Sequence, residues 1–331
     1  MPLITTNIDL VLRDLHAGKP VAIPTETVYG LAAPIDNEEA IKAVFAMKNR
    51  PLNHPLIVHV APDWNLYTLI NNLPDYAAVL IKKFWPGPLT LVLPCKPGAI
   101  LPLVNGGQTT IALRCPAHPV TQELLHLLGT PLVAPSANPF GKISPTTAAH
   151  VEESFPHEDL TILDGGRCTV GIESTIVDAT DPYHYQILRH GLLSEDLIRA
   201  ELGQAPENLA HEIRVPGKLD SHYQPTKTLF YFEDFTTLEQ FCRSGKNDEV
   251  YVIASRQPEG INDLHFHPLA ENPEKAAFDL YFQLRRGDAS NAKYIVIELP
   301  PLQDSWQGIR ERILKAGVPY FEIGDAGLSL P

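Results

Sequence analysis

Residues 89–114 read LTLVLPCKPGAILPLVNGGQTTIALR and carry two short apolar runs, 89–93 and 110–113. Each run is too short for a helix and is bounded by glycine and proline, so each reads as a buried strand. Strands that follow one another without a crossover helix tend to pair antiparallel, so the sheet that holds them should be mixed rather than purely parallel. Working outward, Thr6 or Asn7 can cap a helix whose apolar positions Ile8, Val11, Leu12 and Leu15 recur at helical spacing, with Gly18 as its stop. Further helices are expected over 38–48, 74–84, 120–128 and from a Ser194 cap to Glu201. Strands are expected over 21–23, 56–60, 132–134, 161–163, 175–178 and 186–188. Strands and helices alternate irregularly, which makes the first part α/β.

Periodicity disappears between residues 203 and 227, where Gly203, Pro206, Pro216, Gly217 and Pro225 mark a linker. It returns as strand 229–232, helix 237–242, strand 250–254, helix 274–286, strand 294–299 and helix 306–315. Strict β-α alternation predicts a small parallel sheet of Rossmann-like type. The expected division is therefore 1–202, a linker 203–227, and 228–331.

The 331 residues carry 26 Lys and Arg against 39 Asp and Glu, a net charge of −13. Residues 1–227 hold 16 basic and 23 acidic side chains, a balance of −7, and the remainder hold 10 and 16, a balance of −6. Neither part has the basic excess that binding to a phosphate backbone exploits. A protein that handles anions at this charge must concentrate a few cations locally. Four widely spaced cysteines (Cys95, Cys115, Cys168, Cys242) suit reduced thiols rather than a disulfide framework. Residues 1–10 lack a basic region followed by an apolar stretch, and no run approaches the ~18 apolar residues of a membrane span. A cytoplasmic protein without membrane contact is the expectation.

The signatures of P-loop nucleotidases, dinucleotide-binding folds, serine hydrolases and HExxH metalloproteases are missing from the chain. His265-Phe266-His267 offers two metal-capable rings without a third ligand and reads as a surface loop. What remains is a series of polar segments placed at strand ends. Pro24-Thr25-Glu26-Thr27-Val28-Tyr29-Gly30 follows the first of these strands. Lys48-Asn49-Arg50-Pro51 closes a helix, where cations suit the helix dipole and can also meet an anion. His59 lies inside an apolar strand, and Arg114 ends another. Pro135-Ser136-Ala137-Asn138, Ser144-Pro145-Thr146, Gly171-Ile172-Glu173-Ser174-Thr175 and Leu188-Arg189-His190-Gly191 complete the series. Ser144 or Thr146 can equally serve as a helix N-cap.

In this order and spacing the segments PTETVYG (24–30), KNRP…PLIVH (48–51 and 55–59), IALR (111–114), PSAN (135–138), SPT (144–146), GIESTIVD (171–178) and LRHG (188–191) closely resemble the YrdC-like family. Within it they resemble the two-domain threonylcarbamoyl-AMP synthases. The resemblance continues through PGKLDSHYQP (216–225), LRRGDASN (285–292) and RERILKAG (310–317), nearly the whole chain. It implies a YrdC-like twisted mixed sheet with flanking helices, then a Rossmann-like domain. It also implies a nucleotidyltransferase that joins L-threonine, bicarbonate and ATP, accompanied by Mg²⁺, into threonylcarbamoyl-AMP and pyrophosphate. The product would pass to a tRNA threonylcarbamoyl transferase that modifies tRNAs reading ANN codons, with at most weak contact to tRNA itself.

The resemblance assigns Lys48 and Arg50 to catalysis, and Thr27, His59, Arg114, Ala134 and Ser174 to L-threonine. It assigns Arg50, His54, Thr110, Ser136, Asn138, Ser144, Arg189 and Tyr223 to ATP. His222 and Tyr223 would form a lid that excludes water. The chain departs from the family pattern at His54, where asparagine is usual, and at His190, Phe140 and Gln224. No general base stands out. The competing reading is a double-stranded RNA or tRNA-binding protein without catalysis of its own, and the negative balance of both parts argues against it.

Overall fold

The computed structural model describes residues 1–209, 212–217, 222–246, 249–262 and 265–320. Parts of the expected linker (210–211 and 218–221) and the end of the expected second domain (321–331) lie outside the described residues.

The first part contains β1 (Leu3–Thr5), α1 (Ile8–His16), β2 (Val21–Ile23), β3 (Gly30–Pro34), α2 (Glu38–Lys48), β4 (Ile57–His59), α3 (Asp75–Phe84) and β5 (Leu89–Pro94). There follow α4 (Pro102–Asn105), β6 (Thr110–Arg114), α5 (Pro119–Leu128), β7 (Leu132–Val133), α6 (Ala148–Ser154), β8 (Thr161–Leu163), β9 (Thr175–Asp178), β10 (Gln186–Arg189) and α7 (Glu195–Leu202). Ten strands form one sheet in the order β1-β8-β2-β3-β7-β4-β6-β5-β9-β10. It is mixed, as residues 89–114 predict: β5 and β6 are antiparallel, with Leu91 opposite Leu113, while β4 and β6 are parallel.

The second part comprises β11 (Thr228–Phe232), α8 (Phe235–Phe241), β12 (Val250–Ala254), β13 (Phe266–Pro268), α9 (Pro273–Ala289), β14 (Tyr294–Glu298), α10 (Gln307–Ala316) and β15 (Val318–Pro319). Its five strands run β13-β12-β14-β11-β15, every neighbouring pair parallel. Helices α8, α9 and α10 supply the crossovers between β11 and β12, β13 and β14, and β14 and β15, as parallel pairing requires.

Local chemistry sets the helix ends that matter for the site. Asn37 caps α2 by accepting from Ala40 N, and Glu38 and Glu39 occupy its positive end. Lys48 is the last residue of α2, and Asn49 leaves the helix in the left-handed region at φ 54°. That turn aims Arg50 away from the helix axis.

The structure differs from the sequence reading at several elements. Residues 30–34 (GLAAP) form a fully buried strand where none is expected, because Gly, Ala and Pro carry little strand signal. His265–His267 is not a plain loop: Phe266 and His267 pair with Val252 and Ile253 at the sheet edge. Helix α6 is capped by Thr147, which accepts from His150 N at 3.2 Å, rather than by Ser144 or Thr146. The two parts share a core. Val28, Ile143, Ile172 and Tyr223 pack in one apolar cluster with Leu229, Tyr281 and Ile309. Ile213 and Val215 likewise pack on Ile57, Ala112 and Leu188. The segment between the sheets is thus anchored by burial on both sides, and the site lies at that seam.

Candidate active site

One cleft is lined by Thr27, Val28, Arg50, Ile57, His59, Arg114, Ala134, Pro135, Ser136, Glu173, Ser174, Arg189, Pro216, Gly217, His222 and Tyr223. Strand ends supply most of it: His59 closes β4, Arg114 closes β6 and Arg189 closes β10. Polar loops must follow strands somewhere, and here they converge because these strands are near neighbours in the sheet. All five residues expected at L-threonine line the cleft, as do Arg50, Ser136, Arg189, His222 and Tyr223.

Lys48, His54, Thr110, Asn138 and Ser144 stand outside the lining. Lys48 is buried, and its Nζ donates to the carbonyls of Ser136 and Asn138, each at 2.5 Å. It therefore staples the 135–138 loop to the end of α2. Asn138 Nδ2 donates to the carbonyls of Pro139 and Lys142 at 2.9 Å, which shapes the same loop. The His54 ring meets Phe140 edge-on at 5.2 Å, and Phe140 in turn meets His222 at 5.8 Å and the Arg50 guanidinium at 5.6 Å. Thr110 opens β6 while Arg114 closes it, roughly 13 Å away along a strand. Ser144 Oγ donates to Glu173 Oε1 at 2.5 Å from behind the wall.

Within the lining, Arg189 donates from Nε and Nη2 to the Ser174 carbonyl at 3.1 and 2.9 Å, and from Nη1 to the Pro216 carbonyl at 3.2 Å. Arg50 Nη2 donates to the Pro55 carbonyl at 2.8 Å. Ser174 Oγ and Thr90 Oγ1 are 2.7 Å apart, as Thr25 and Thr27 are at 2.9 Å. Three buried arginines (Arg50, Arg114, Arg189) line the cleft with buried Lys48 behind them, against two buried carboxylates, Glu173 in the lining and Glu26 beside Arg114, in a chain whose net charge is −13. The local sign is opposite to the global one.

Burial sets the titration of this cluster. It lowers Arg50 to about 10 and, reinforced by the Arg50 charge, takes Lys48 well below the usual lysine range. His59 is pushed down to about 3 by burial and then by Arg114, and His222 to about 3 by burial. Burial by itself would raise Glu173; Arg312, Arg189 and the Ser144 hydroxyl outweigh it and hold the carboxyl at about 2.

Buried polar atoms without a hydrogen-bond partner gather here. They include Arg50 Nε, His59 Nδ1, Arg114 Nη2, His222 Nδ1 and the Tyr223 hydroxyl, all on lining residues. Native interiors rarely leave such atoms unpaired, so this concentration marks a place built for a polar ligand.

Sequence reasoning did not single out Glu26, Glu173, Tyr281 or Arg312. Glu26 Oε1 lies 2.7 Å from Arg114 Nη2, and Glu173 is the carboxylate of the cleft wall. The available signal was a charged residue at a core position. Arg312 falls on the face of α10 defined by buried Ile309, Ile313 and Ala316, where an arginine needs a buried partner.

Residues 13–191 match the family model described as "Telomere recombination" (Sua5, YciO and YrdC proteins), and residues 188–317 match the "Threonylcarbamoyl-AMP synthase, C-terminal domain". The chain is 35% identical to the threonylcarbamoyl-AMP synthase of Bacillus subtilis, with 91% of this chain aligned to 90% of that one. It is 37% identical to the protein of the same name from Pyrococcus abyssi, over 86% of each. A crystal structure of P. abyssi Sua5 complexed with L-threonine superposes at a TM-score of 0.86 and 31% identity, covering 97% of this chain and 100% of that one. The likeness runs through both sheets and the segment that joins them, so the chain belongs to the threonylcarbamoyl-AMP synthase family.

Proposed function

We propose that this cleft condenses L-threonine, bicarbonate and ATP to threonylcarbamoyl-AMP, pyrophosphate and water, a nucleotidyl transfer. The observation that carries the reading is the inverted charge of the cleft: three buried arginines, Arg50, Arg114 and Arg189, line it in an acidic protein. The threonine amine adds to bicarbonate with loss of water, and the resulting carbamate oxygen attacks the α-phosphorus as pyrophosphate leaves. An anion attacking an anion is slow unless positive groups are already in place, and groups fixed by burial need no reorganisation when charge develops.

Arg114 suits the amino-acid carboxylate, with Glu26 holding one edge of its guanidinium. Arg50 and Arg189 suit the nucleotide phosphates, and Lys48 fixes the Ser136 loop against them. Thr27 and Ser174 offer hydroxyls to the threonine or its carbamoylated form, and His222 with Tyr223 covers them. Mg²⁺ would travel with the triphosphate and neutralise part of its charge. Of the two carboxylates in this cluster, Glu26 faces Arg114, and Glu173 is bonded to Ser144, Tyr281 and Arg312, so the phosphates rather than the protein would hold the ion. The reaction site suits a cytoplasmic enzyme that hands its adenylate to a tRNA-modifying transferase.

RNA binding without catalysis is not favoured. The cations of the site are buried rather than displayed, and both parts of the chain are acidic. Among the described residues no helix is long and apolar enough to cross a membrane. The deciding experiment is release of pyrophosphate from ATP by the purified chain. Release should require both L-threonine and bicarbonate; equal release with serine, or without bicarbonate, overturns the assignment of substrate.

A further inference from the structure

Glu173 stands in the cleft wall, yet among the described residues the hydrogen-bond partners of its carboxylate stand outside the lining. Oε1 accepts from Ser144 Oγ at 2.5 Å, and Oε2 accepts from the Tyr281 hydroxyl at 2.8 Å and from Arg312 Nε at 2.9 Å. Tyr281 lies on α9 and Arg312 on α10, both in the second part, whereas among the described residues those lining the cleft fall between Thr27 and Tyr223. Arg312 also donates Nη1 to the His190 carbonyl at 2.6 Å, one residue beyond Arg189, and its guanidinium lies 5.1 Å from the Tyr223 ring. Its side chain is 0% exposed. A fully buried arginine thus touches three pieces of the reaction cleft without entering it.

We infer that Arg312 and Tyr281 are positioning residues through which the second part completes the cleft: they hold Glu173 as an oriented carboxylate, and with it the Ser144 hydroxyl and the backbone that carries Arg189. The inference rests on the reaction proposed above. A guanidinium presents several donors in one rigid plane, so a single side chain can fix a carboxylate and a carbonyl together. Removing one member of a buried pair leaves the other charge unpaired. The groups that face Glu173 are Arg312 from α10, Tyr281 from α9, Arg189 from β10, Lys48 from α2, and His222 and Tyr223 from the linker. Without Arg312 the burial penalty on the charged carboxylate regains ground, and Glu173 takes up a proton at higher pH. A protonated acid donates where the carboxylate accepted, so the Ser144 hydroxyl must turn.

A residue that merely glued the two parts together would lower the melting temperature and leave the pH dependence of turnover alone. The test follows threonine- and bicarbonate-dependent pyrophosphate release across the neutral pH range, with melting temperature recorded at each pH. Arg312→Met should lower kcat/KM for ATP by about a hundredfold, the scale of a misplaced reactive group, and should add an acid limb of its own to the fall that the titration of bicarbonate and of the threonine amine gives every variant. Arg312→Lys should recover part of the rate, and the Arg312→Met/Glu173→Gln double variant should lose the added limb. A folded Arg312→Met enzyme with the wild-type profile overturns the inference. If Arg312→Met does not fold, Tyr281→Phe decides, since it removes one hydroxyl: a roughly tenfold loss in kcat/KM is expected for a hydrogen bond to a charged group, and an unchanged value overturns the inference. A wild-type chain that releases no pyrophosphate with threonine and bicarbonate sinks the reaction itself, a failure distinct from an unshifted variant.

Discussion

Arg114 Nη2 and Glu26 Oε1 lie 2.7 Å apart, with side chains only 5% and 7% exposed, in ionic contact without the alignment of a hydrogen bond. Glu26 Oε2 is held separately by the backbone N–H of Ala117 at 3.0 Å. The carboxylate is therefore anchored, while the guanidinium remains able to accept a second, better aligned carboxylate.

Glu26→Gln should destabilise the fold by about 3–5 kcal/mol, because it leaves the Arg114 charge buried without its counter-charge. Saturating L-threonine should restore part of that loss, since its carboxylate takes the place of Glu26 beside Arg114. Thermal melts with and without threonine measure this. A ligand-induced shift no larger in Glu26→Gln than in the wild type would show that Arg114 does not receive the substrate carboxylate.

Arg50 and Lys48 should separate in their kinetic effects. Arg50 lines the cleft, and Arg50→Ala should reduce kcat by about 10²–10³-fold, the usual cost of losing one preorganised charge contact, with little change in melting temperature. Lys48 instead bonds two carbonyls of the 135–138 loop, so Lys48→Met should raise KM for ATP and lower the melting temperature together. Steady-state kinetics beside differential scanning calorimetry distinguish the two. An Arg50→Ala variant with wild-type kcat refutes its proposed role.

Acid should destabilise the protein in a defined window. His59, His150 and His222 are each lowered by burial to about 3, against an ordinary value of 6.5. Between these values the unfolded chain binds protons that the folded chain refuses, so stability is complete above pH 6.5 and falls towards pH 3. Each group contributes a slope of up to about 1.4 kcal/mol per pH unit. Glu173, held at about 2 although burial opposes it, acts in the same direction further down: its contribution is present above 4.5 and lost as the pH falls to about 2. Urea midpoints measured against pH should show the loss, and His59→Gln should flatten its upper part.

The Tyr223 hydroxyl is buried without a hydrogen-bond partner, at a residue held in the left-handed region at φ 64°. Tyr223→Phe removes that unpaired group, so stability should stay level or rise slightly while ATP affinity falls by about tenfold, the worth of one hydrogen bond. Isothermal titration with a non-hydrolysable nucleotide reads both binding and its enthalpy. Unchanged affinity would mean that this hydroxyl does not meet the nucleotide.

Much of the architecture was legible where apolar periodicity was strong. Strands β2, β5, β6 and β9 and helices α1, α2 and α9 fall where the pattern puts them, to within a few residues. Strand β3 was not, because Gly30-Leu31-Ala32-Ala33-Pro34 is held in place by its neighbours rather than by its own preferences. At the site, the cations were legible as charges at the ends of apolar runs, and proline marked the loops that carry them. Their partners were not. Nothing in the spacing of the chain links Lys48 to the carbonyl of Asn138, 90 residues on, or Arg312 to Glu173, 139 residues back.

The sequence by itself determined the two kinds of sheet, the polar segments that close particular strands, and a total charge that argues against strong nucleic-acid binding. Those are local properties, set by side-chain periodicity, backbone restriction and counting. The tertiary structure alone decided that Arg114 faces Glu26, that Lys48 is a staple behind the wall, and that the second part reaches Glu173 through Arg312 and Tyr281. Such pairings depend on the order in which strands take their places and on which helix packs over them. A buried charge must find its partner in space, and the chain records only that the charge is there.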